Sequence, residues 1–265
     1  MEPPSLDAIE RSNLRQIEAL NQRGGRTLSI ADLMEVGTIT PEAAGYALWR
    51  IAHGASFLTG AVPGGAGKST VLADLLAMLP PGEQIVTTPD DRAVEAASAQ
   101  KDRAGNCYLC HEFGSGMWYG YLWGRAVGQF MGLSDRGGRI AGCLHADDAL
   151  QTRDILVTPT LGVTAETFSD IGLLVYMSVD KNRAGASRAV HSVWAKADAN
   201  GHRIAFGRDP GTDDLVAHDV DSGSIDGAPT LDDCQALMAD LLVSDVRHFE
   251  EVRGEIVRFY QAQDE

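Results

Sequence analysis

A glycine-rich run between an apolar stretch and a helix-like stretch constrains this chain more than any other feature. The run from Pro63 to Thr70 reads PGGAGKST; it follows apolar residues that end at Val62 and precedes the apolar-rich VLADLLAML. Glycines let successive backbone amides point at phosphate oxygens, a lysine reaches the outer phosphates, and a hydroxyl holds Mg²⁺. The run therefore predicts a phosphate-binding loop between a strand and a helix. The candidate nucleotide-binding residues are Gly64, Gly65, Ala66, Gly67, Lys68, Ser69 and Thr70, and Ser69 is the candidate Mg²⁺ ligand.

Composition and charge favour a soluble globular protein that has no direct nucleic-acid partner. The chain is 44% hydrophobic and has 37 acidic against 22 basic residues, a formal net charge of -15. Nucleic-acid binding relies on Lys and Arg contacts to phosphates, which this balance disfavours. Residues 1–4 do not resemble an export signal, and no apolar run approaches the roughly 20 residues that a membrane span needs. We therefore expect a cytoplasmic protein.

The periodicity of apolar residues divides the chain into three stretches. Residues 1–54 are predicted as an N-terminal helical segment, with one amphipathic helix over residues 5–24 and a second that opens at Thr40 and stops at Gly54. Residues 55–210 alternate short strands with helices, which predicts an α/β domain with a mostly parallel sheet. Residues 211–265 are predicted as a loop and a C-terminal tail of two helices, the first of which opens at Thr230.

Strands and helices of the central stretch can be placed individually. The predicted strands are Ala55 to Gly60, Gln84 to Thr88, Asn106 to His111 and Gly138 to Leu144. The predicted helices are Lys68 to Leu79, Asp91 to Arg103, Met117 to Gly132 and Ala146 to Leu156. Later strands around a two-residue turn at Asn200-Gly201 predict a closing β-hairpin.

Polar residues follow the predicted strands at the edge of the sheet where ligands bind in parallel folds. Glu112 is either a carboxylate that orients or deprotonates an attacking water, or a surface residue. Asp90 either contacts Mg²⁺-bound water or caps the helix that begins near Asp91. His145 either contacts the outer phosphate or is a core histidine. Glu112, His145 and Asp90 are therefore the candidate catalytic residues.

The cysteines are too few and too irregularly spaced to predict a disulfide framework. Cys107, Cys110, Cys143 and His145 permit a zinc site, and residues 107–111 match the C-x-x-C-H pattern of haem attachment. However, positions i and i+3 of a strand point to opposite faces of the sheet. Buried thiols are thus the favoured interpretation.

The order of these motifs resembles the secretion ATPase superfamily, the hexameric motors of type II and type IV secretion and of pilus assembly. The resemblance rests on the phosphate loop, on LPPGEQIVTTPD over residues 79–90, on His111-Glu112, and on LHADDA over residues 144–149. It implies a RecA-like P-loop fold that binds ATP and Mg²⁺, with Glu112 acting on water and His145 sensing the outer phosphate. It also implies a homo-oligomeric, hexameric ring and a membrane secretion or pilus platform protein as partner, which would place the chain beside the inner membrane.

Three positions depart from the pattern of that superfamily and leave two alternatives open. Val62 stands where the loop normally has glycine, Pro89 where an acidic residue is usual, and His111 where glycine precedes the glutamate. The segment between Asp90 and Glu112 is also short. No arginine finger can be assigned, because nothing in the sequence discriminates between the candidates Arg92, Arg103, Arg125 and Arg139. The alternatives are a degenerate nucleotide-binding scaffold or regulator with little hydrolysis, and a small-molecule P-loop kinase.

Overall fold

The computed structural model describes residues 4–21, 24–182, 185–198, 201–223 and 227–263. Within these ranges the strands are β1 (Phe57–Gly60), β2 (Gln84–Thr87), β3 (Asn106–Phe113), β4 (Tyr121–Leu122), β5 (Arg139–Leu144), β6 (Leu173–Asn182), β7 (Gly185–Asp198), β8 (Gly201–Arg208) and β9 (Leu215–Ala217). The helices are α1 (Leu6–Glu18), α2 (Ile30–Glu35), α3 (Pro41–Ala52), α4 (Lys68–Ala77), α5 (Asp91–Ser98), α6 (Arg125–Met131), α7 (Ala149–Leu156), α8 (Ala165–Ser169), α9 (Leu231–Val243) and α10 (Phe249–Gln263). A 3₁₀ segment, Gly132–Gly137, follows α6.

All the described strands belong to a single sheet. Its order is β2-β3-β5-β1-β6-β7-β8-β9, and β4 pairs with the end of β3. The pairs from β2 to β6 are parallel, whereas β6, β7, β8 and β9 pair antiparallel. The predicted α/β class, with a mostly parallel sheet and antiparallel strands that close it, is confirmed. Asn200 of the predicted hairpin turn lies outside the described residues.

Apolar side chains of the parallel strands alternate between two cores, one on each face of the sheet. Along β3, Cys107 and Leu109 join the core under α1, α3, α4, α9 and α10, whereas Tyr108 and Cys110 join the core under α5, α6, α7 and α8. Period-two alternation of this kind is what places helices on both faces of a parallel sheet. The two cores therefore lie on opposite faces of the sheet and fix the helices on both sides of it.

Helices from the two ends of the chain pack on one another over the first of these cores. A Cβ atom at Gly45 of α3 would lie 2.6 Å from the Cα atom of Gln235 of α9, so only glycine allows this approach. Arg253 of α10 donates to both carboxylate oxygens of Glu10 of α1 and to the carbonyl oxygen of Leu79. The first and third stretches of the chain thus contact each other and the core, and their division into separate units stays a prediction.

Most predicted elements lie where the sequence placed them, and the helix from Met117 to Gly132 is the main error. Only Arg125–Met131 is helical; Gly120 and Gly124 adopt φ values of 78° and 67°, which a helix does not allow, and the short strand β4 lies between them. The helix predicted from Asp91 to Arg103 ends at Ser98, while both predicted tail helices are present. No helix among the described residues has the length and apolar character needed to cross a membrane.

Candidate functional site

The turn from β1 into α4 has the geometry that the glycine-rich run predicts. Gly65 and Gly67 adopt φ values of 82° and 102°, in the left-handed region that favours glycine. Gly67 occupies the N-cap of α4 and so offers no side chain to the first amides of the helix. Those amides, together with the helix dipole, make the first turn of α4 a ready anion site.

Lys68 begins α4 and folds its side chain back toward the strand ends. Only 7% of the residue is exposed, and its ammonium nitrogen lies 3.5 Å from the Ala61 carbonyl oxygen and 3.3 Å from Nδ1 of His145. Glu112 Oε2 is 3.9 Å away. In this structure the lysine charge is therefore partly balanced by Glu112.

Glu112 and His145 meet each other across the loop. His145 Nε2 lies 2.9 Å from Glu112 Oε1, and His145 Nδ1 lies 2.9 Å from the carbonyl oxygen of Val62. Both ring nitrogens thus face oxygen atoms, one on the strand-end carboxylate and one on the phosphate loop. His145 therefore connects the phosphate loop to the carboxylate of Glu112, although Glu112 lies at the end of β3 and His145 follows β5.

A β-bulge aims Glu112 at this junction. The register between β3 and β5 shifts between Cys110 and Phe113, so the extra residue re-orients the end of β3. The Gly120 carbonyl oxygen accepts from the amides of His111 and Glu112, at 3.0 and 3.3 Å. Tyr121 lies beside the carboxylate, and burial followed by the charge of Glu112 raises the pKa of its hydroxyl.

These groups line a cavity of about 480 Å³, within the range of ligand pockets. Residues 64–70 form one wall, and Glu112, Tyr121 and His145 form another. Ile17, Leu20 and Leu28 of the N-terminal segment contribute apolar lining opposite the loop. The cavity therefore combines an anion-binding floor with an apolar side, as a nucleotide requires.

The residues present fit a magnesium-bound polyphosphate. Ser69 is exposed in the first turn of α4 and lines the cavity, as does the carboxylate of Glu112. Hydroxyl, carboxylate and phosphate oxygens are the donors that Mg²⁺ prefers. Ser69 is thus placed to serve as the predicted metal ligand once a phosphate is bound.

Asp90 lies apart from this group, and its catalytic role stays a prediction. Its carboxylate caps α5, because Oδ1 accepts from the Ala93 amide at 2.9 Å, and it does not line the cavity. Of the two roles that the sequence left open, the structure shows the helix cap. Asp147 was not among the candidates, yet its Oδ1 accepts from the Val62 amide at 2.7 Å and so holds the loop where glycine is usual.

The cysteines are buried on two faces of the sheet. Cys107 and Cys110 belong to opposite cores, so they cannot chelate one ion together. Cys143 lies 3.0 Å from Thr59 Oγ1, and burial raises the pKa of its thiol to about 12. Among the described residues no cluster of three or more histidine, cysteine or acidic side chains is placed to hold a metal ion.

Arg188 of β7 lines the cavity and was not among the candidates from the sequence. Its Nε donates to the carbonyl oxygen of Gly65 at 2.7 Å, across 123 positions of sequence. The arginines considered as possible fingers lie elsewhere: Arg103 and Arg139 are buried on backbone carbonyls, and Arg92 and Arg125 are exposed away from the cavity. No local motif marks Arg188, because only the fold brings β7 to the loop.

Comparison with known proteins gives structural neighbours but no sequence relative. No protein-family profile and no curated protein matches the sequence significantly. The VirB11 ATPase from the Brucella suis type IV secretion system, solved in complex with sulphate, is 16% identical with a TM-score of 0.42, over 58% of this chain and 52% of that one. The ATPase DotB from Legionella pneumophila is 14% identical with a TM-score of 0.42, over 56% and 47%. The chain spans about half the length of these two ATPases.

Proposed function

We propose that this chain binds ATP with Mg²⁺ in the cavity at the first turn of α4 and hydrolyses it. The observation that carries the proposal is the convergence of Lys68, Glu112 and His145, from three separate strand ends, on one glycine-rich loop. The amides of residues 64–69 and Lys68 bind the phosphates, and Ser69 holds the metal. Mg²⁺ would neutralise charge that develops on the phosphate oxygens.

Glu112 is the group that acts on water in this proposal. Water attacks the terminal phosphorus, the bond to the bridging oxygen breaks, and ADP and phosphate result, while Glu112 orients the water and accepts its proton. The contact between Lys68 and Glu112 must loosen for this, because the same ammonium group binds the phosphate. His145 contacts both Glu112 and the Val62 carbonyl oxygen, and in this proposal it relays the presence of the outer phosphate.

By its resemblance to the secretion motors, we further propose that the chain works as a ring of identical copies. Such a ring, a hexamer in that superfamily, would act with a secretion or pilus platform protein at a membrane. Light scattering of the purified protein with and without ATP tests the assembly. A particle that stays monomeric at working concentrations with nucleotide bound would contradict it.

A nucleotide-dependent scaffold with little turnover is the second candidate. Its supporting observation is that both oxygens of Glu112 already have partners, one at His145 and one near Lys68. A carboxylate held in this way is poorly available to water. Under this alternative ATP would bind and stabilise a complex without being consumed.

Phosphate release from Mg-ATP by three proteins separates these possibilities. We expect Lys68→Ala to abolish nucleotide binding, and Glu112→Gln to keep binding while turnover falls about 100-fold or more. Lys101→Ala and Glu95→Gln are matched controls, because both side chains are exposed and do not line the cavity. Retained binding by Lys68→Ala would refute the site, whereas binding without turnover in the wild type would establish the scaffold.

A further inference from the structure

Among the described residues, three Lys or Arg side chains line the cavity, and two of them already have carboxylate partners. Arg26 donates to both oxygens of Asp32, at 2.8 Å each, and to the Arg247 carbonyl oxygen at 3.2 Å. Lys68 lies near Glu112. Arg188 is the third, and no described residue offers it a carboxylate within ion-pair distance. In a protein with a net charge of -15, a guanidinium beside an anion site is expected to have a carboxylate partner, and Arg188 has none among the described residues.

Arg188 lies along the phosphate loop itself. Its Nε donates to the Gly65 carbonyl oxygen at 2.7 Å, and its Cδ would be 3.6 Å from a Cβ atom at Gly67. The described residues provide no hydrogen bond for its two terminal nitrogens. The guanidinium therefore contacts the loop through one edge while its terminal donors, which suit phosphate oxygens bidentately, are open to a ligand.

The backbone that carries Arg188 is held firmly. Within the antiparallel pair of β6 and β7, Arg188 lies opposite Val179. On the other side of β7, Thr38 donates its hydroxyl to the Arg188 carbonyl oxygen at 3.2 Å and accepts from the Val190 amide at 2.7 Å. The side chain thus reaches the loop from a fixed strand rather than from a surface loop, which favours precise placement.

We propose that Arg188 binds the terminal phosphate of ATP from within the same chain and so makes the cavity prefer ATP over ADP. This inference rests on the proposed function. The amides of the loop and of the first turn of α4 take the inner phosphates, which leaves the outermost group, with its additional charge, to side-chain cations. Lys68 supplies one of these cations and Arg188 the other.

Calorimetric titration with Mg-ADP and with a non-hydrolysable ATP analogue tests the inference. We expect Arg188→Ala to weaken binding of the analogue about 10-fold or more and to change ADP binding less than about 2-fold. Arg188→Lys keeps the charge but loses the planar fork, so it should recover part of the difference. Lys196→Ala is the control, because Lys196 lies on the same strand but pairs with Asp170 outside the cavity.

Each result separates this inference from the proposed function. Binding of both nucleotides by the wild type, lost in Lys68→Ala but unchanged in Arg188→Ala, keeps the function and refutes the inference. An equal loss of ADP and analogue in Arg188→Ala also refutes it, since that result would mean that the arginine only shapes the loop. A wild type that binds neither nucleotide refutes both. Equal melting temperatures of the variants without nucleotide exclude misfolding as the cause.

Discussion

At the scale of single residues, two ionisable side chains near the site are buried: His111, beside Glu112, and Asp74, on the loop helix. His111 is buried directly before Glu112, and neither of its ring nitrogens has a hydrogen-bond partner. Burial lowers the pKa of His111 accordingly. The residue that departs from the Gly-Glu pattern therefore contributes packing against Gly120, whose carbonyl oxygen holds the Glu112 amide, rather than a charge.

Asp74 of the loop helix is the residue whose titration should be visible in stability. Its carboxyl is fully buried, one of its oxygens lacks a hydrogen bond, and burial followed by the charge of Asp32 raises its pKa well above the ordinary value. The folded state thus holds a proton that the unfolded chain releases. The free energy of unfolding therefore falls as the pH rises from the unfolded pKa toward the folded one.

We expect Asp74→Asn to be more stable than the wild type at pH 8 and about equal to it near pH 4. Each kcal/mol of difference should raise the melting temperature by about 2–4 °C in a chain of this size. Asp240→Asn, at an exposed position of α9, is the control. A difference between Asp74→Asn and wild type that stays constant across this pH range would contradict the burial argument.

At the scale of elements, helix ends and close contacts explain what the sequence could predict. The N-cap at Thr40 with Pro41 behind it, and the capping box of Thr230 and Asp233, are local signals, and both helices begin where predicted. The same reasoning failed at Met117 and Trp118. These apolar residues are exposed and precede glycines with positive φ, so apolar periodicity was misleading there.

Substitution of Asp90 tests whether this residue stabilises helix α5 or takes part in catalysis. Because its carboxylate caps α5, we expect Asp90→Ala to lower the free energy of unfolding by about 1 kcal/mol and to leave ATP turnover unchanged. Asp91→Ala, one residue into the helix, removes a charge without the cap and should cost less. Urea denaturation and phosphate release measure the two effects. Loss of turnover in Asp90→Ala without loss of stability would support the catalytic role that the sequence predicts for Asp90.

The free energy of unfolding should also be sensitive to a single substitution in the contact of α3 with α9. Gly45→Ala places a methyl group 2.6 Å from the Gln235 backbone, so the helices must separate, at a cost of about 1–3 kcal/mol. Gly132→Ala is the control, because a Cβ atom there meets nothing within 4 Å and the backbone has an ordinary φ. Urea denaturation should show the loss in Gly45→Ala alone. Equal stability of the two variants would mean that α9 moves without cost.

At the scale of the whole molecule, the sequence predicted which strand ends lie at one edge of the sheet. It did not predict contacts between residues that are far apart in the chain. The loop, Glu112 and His145 follow three strands of a parallel sheet, so their meeting at one edge was predictable from alternation and topology. Arg188 reaches the loop only through tertiary packing, and a single sequence contains no local trace of such a contact. The same holds for the joining of the two chain ends.

Arg253 of α10 tests whether those ends belong to one folding unit. It is buried, binds both oxygens of Glu10, and donates to the Leu79 carbonyl oxygen just past α4. Replacing it with methionine keeps the apolar stem but leaves a carboxylate and carbonyl oxygens unpaired, so we expect a loss of about 3 kcal/mol. Arg258→Met is the control, because Arg258 is exposed on the same helix and pairs with Glu255 of that helix.

The shape of the unfolding curve then shows whether the terminal helices and the central sheet unfold as one unit. If the helices at both ends share a core with α4, Arg253→Met shifts a single transition to lower urea, and tryptophan fluorescence and circular dichroism report the same midpoint. Trp49 of α3 and Trp194 of β7 make fluorescence sensitive to both parts. Two separated transitions in the variant would show that the terminal helices unfold apart from the central sheet and would contradict a single folding unit.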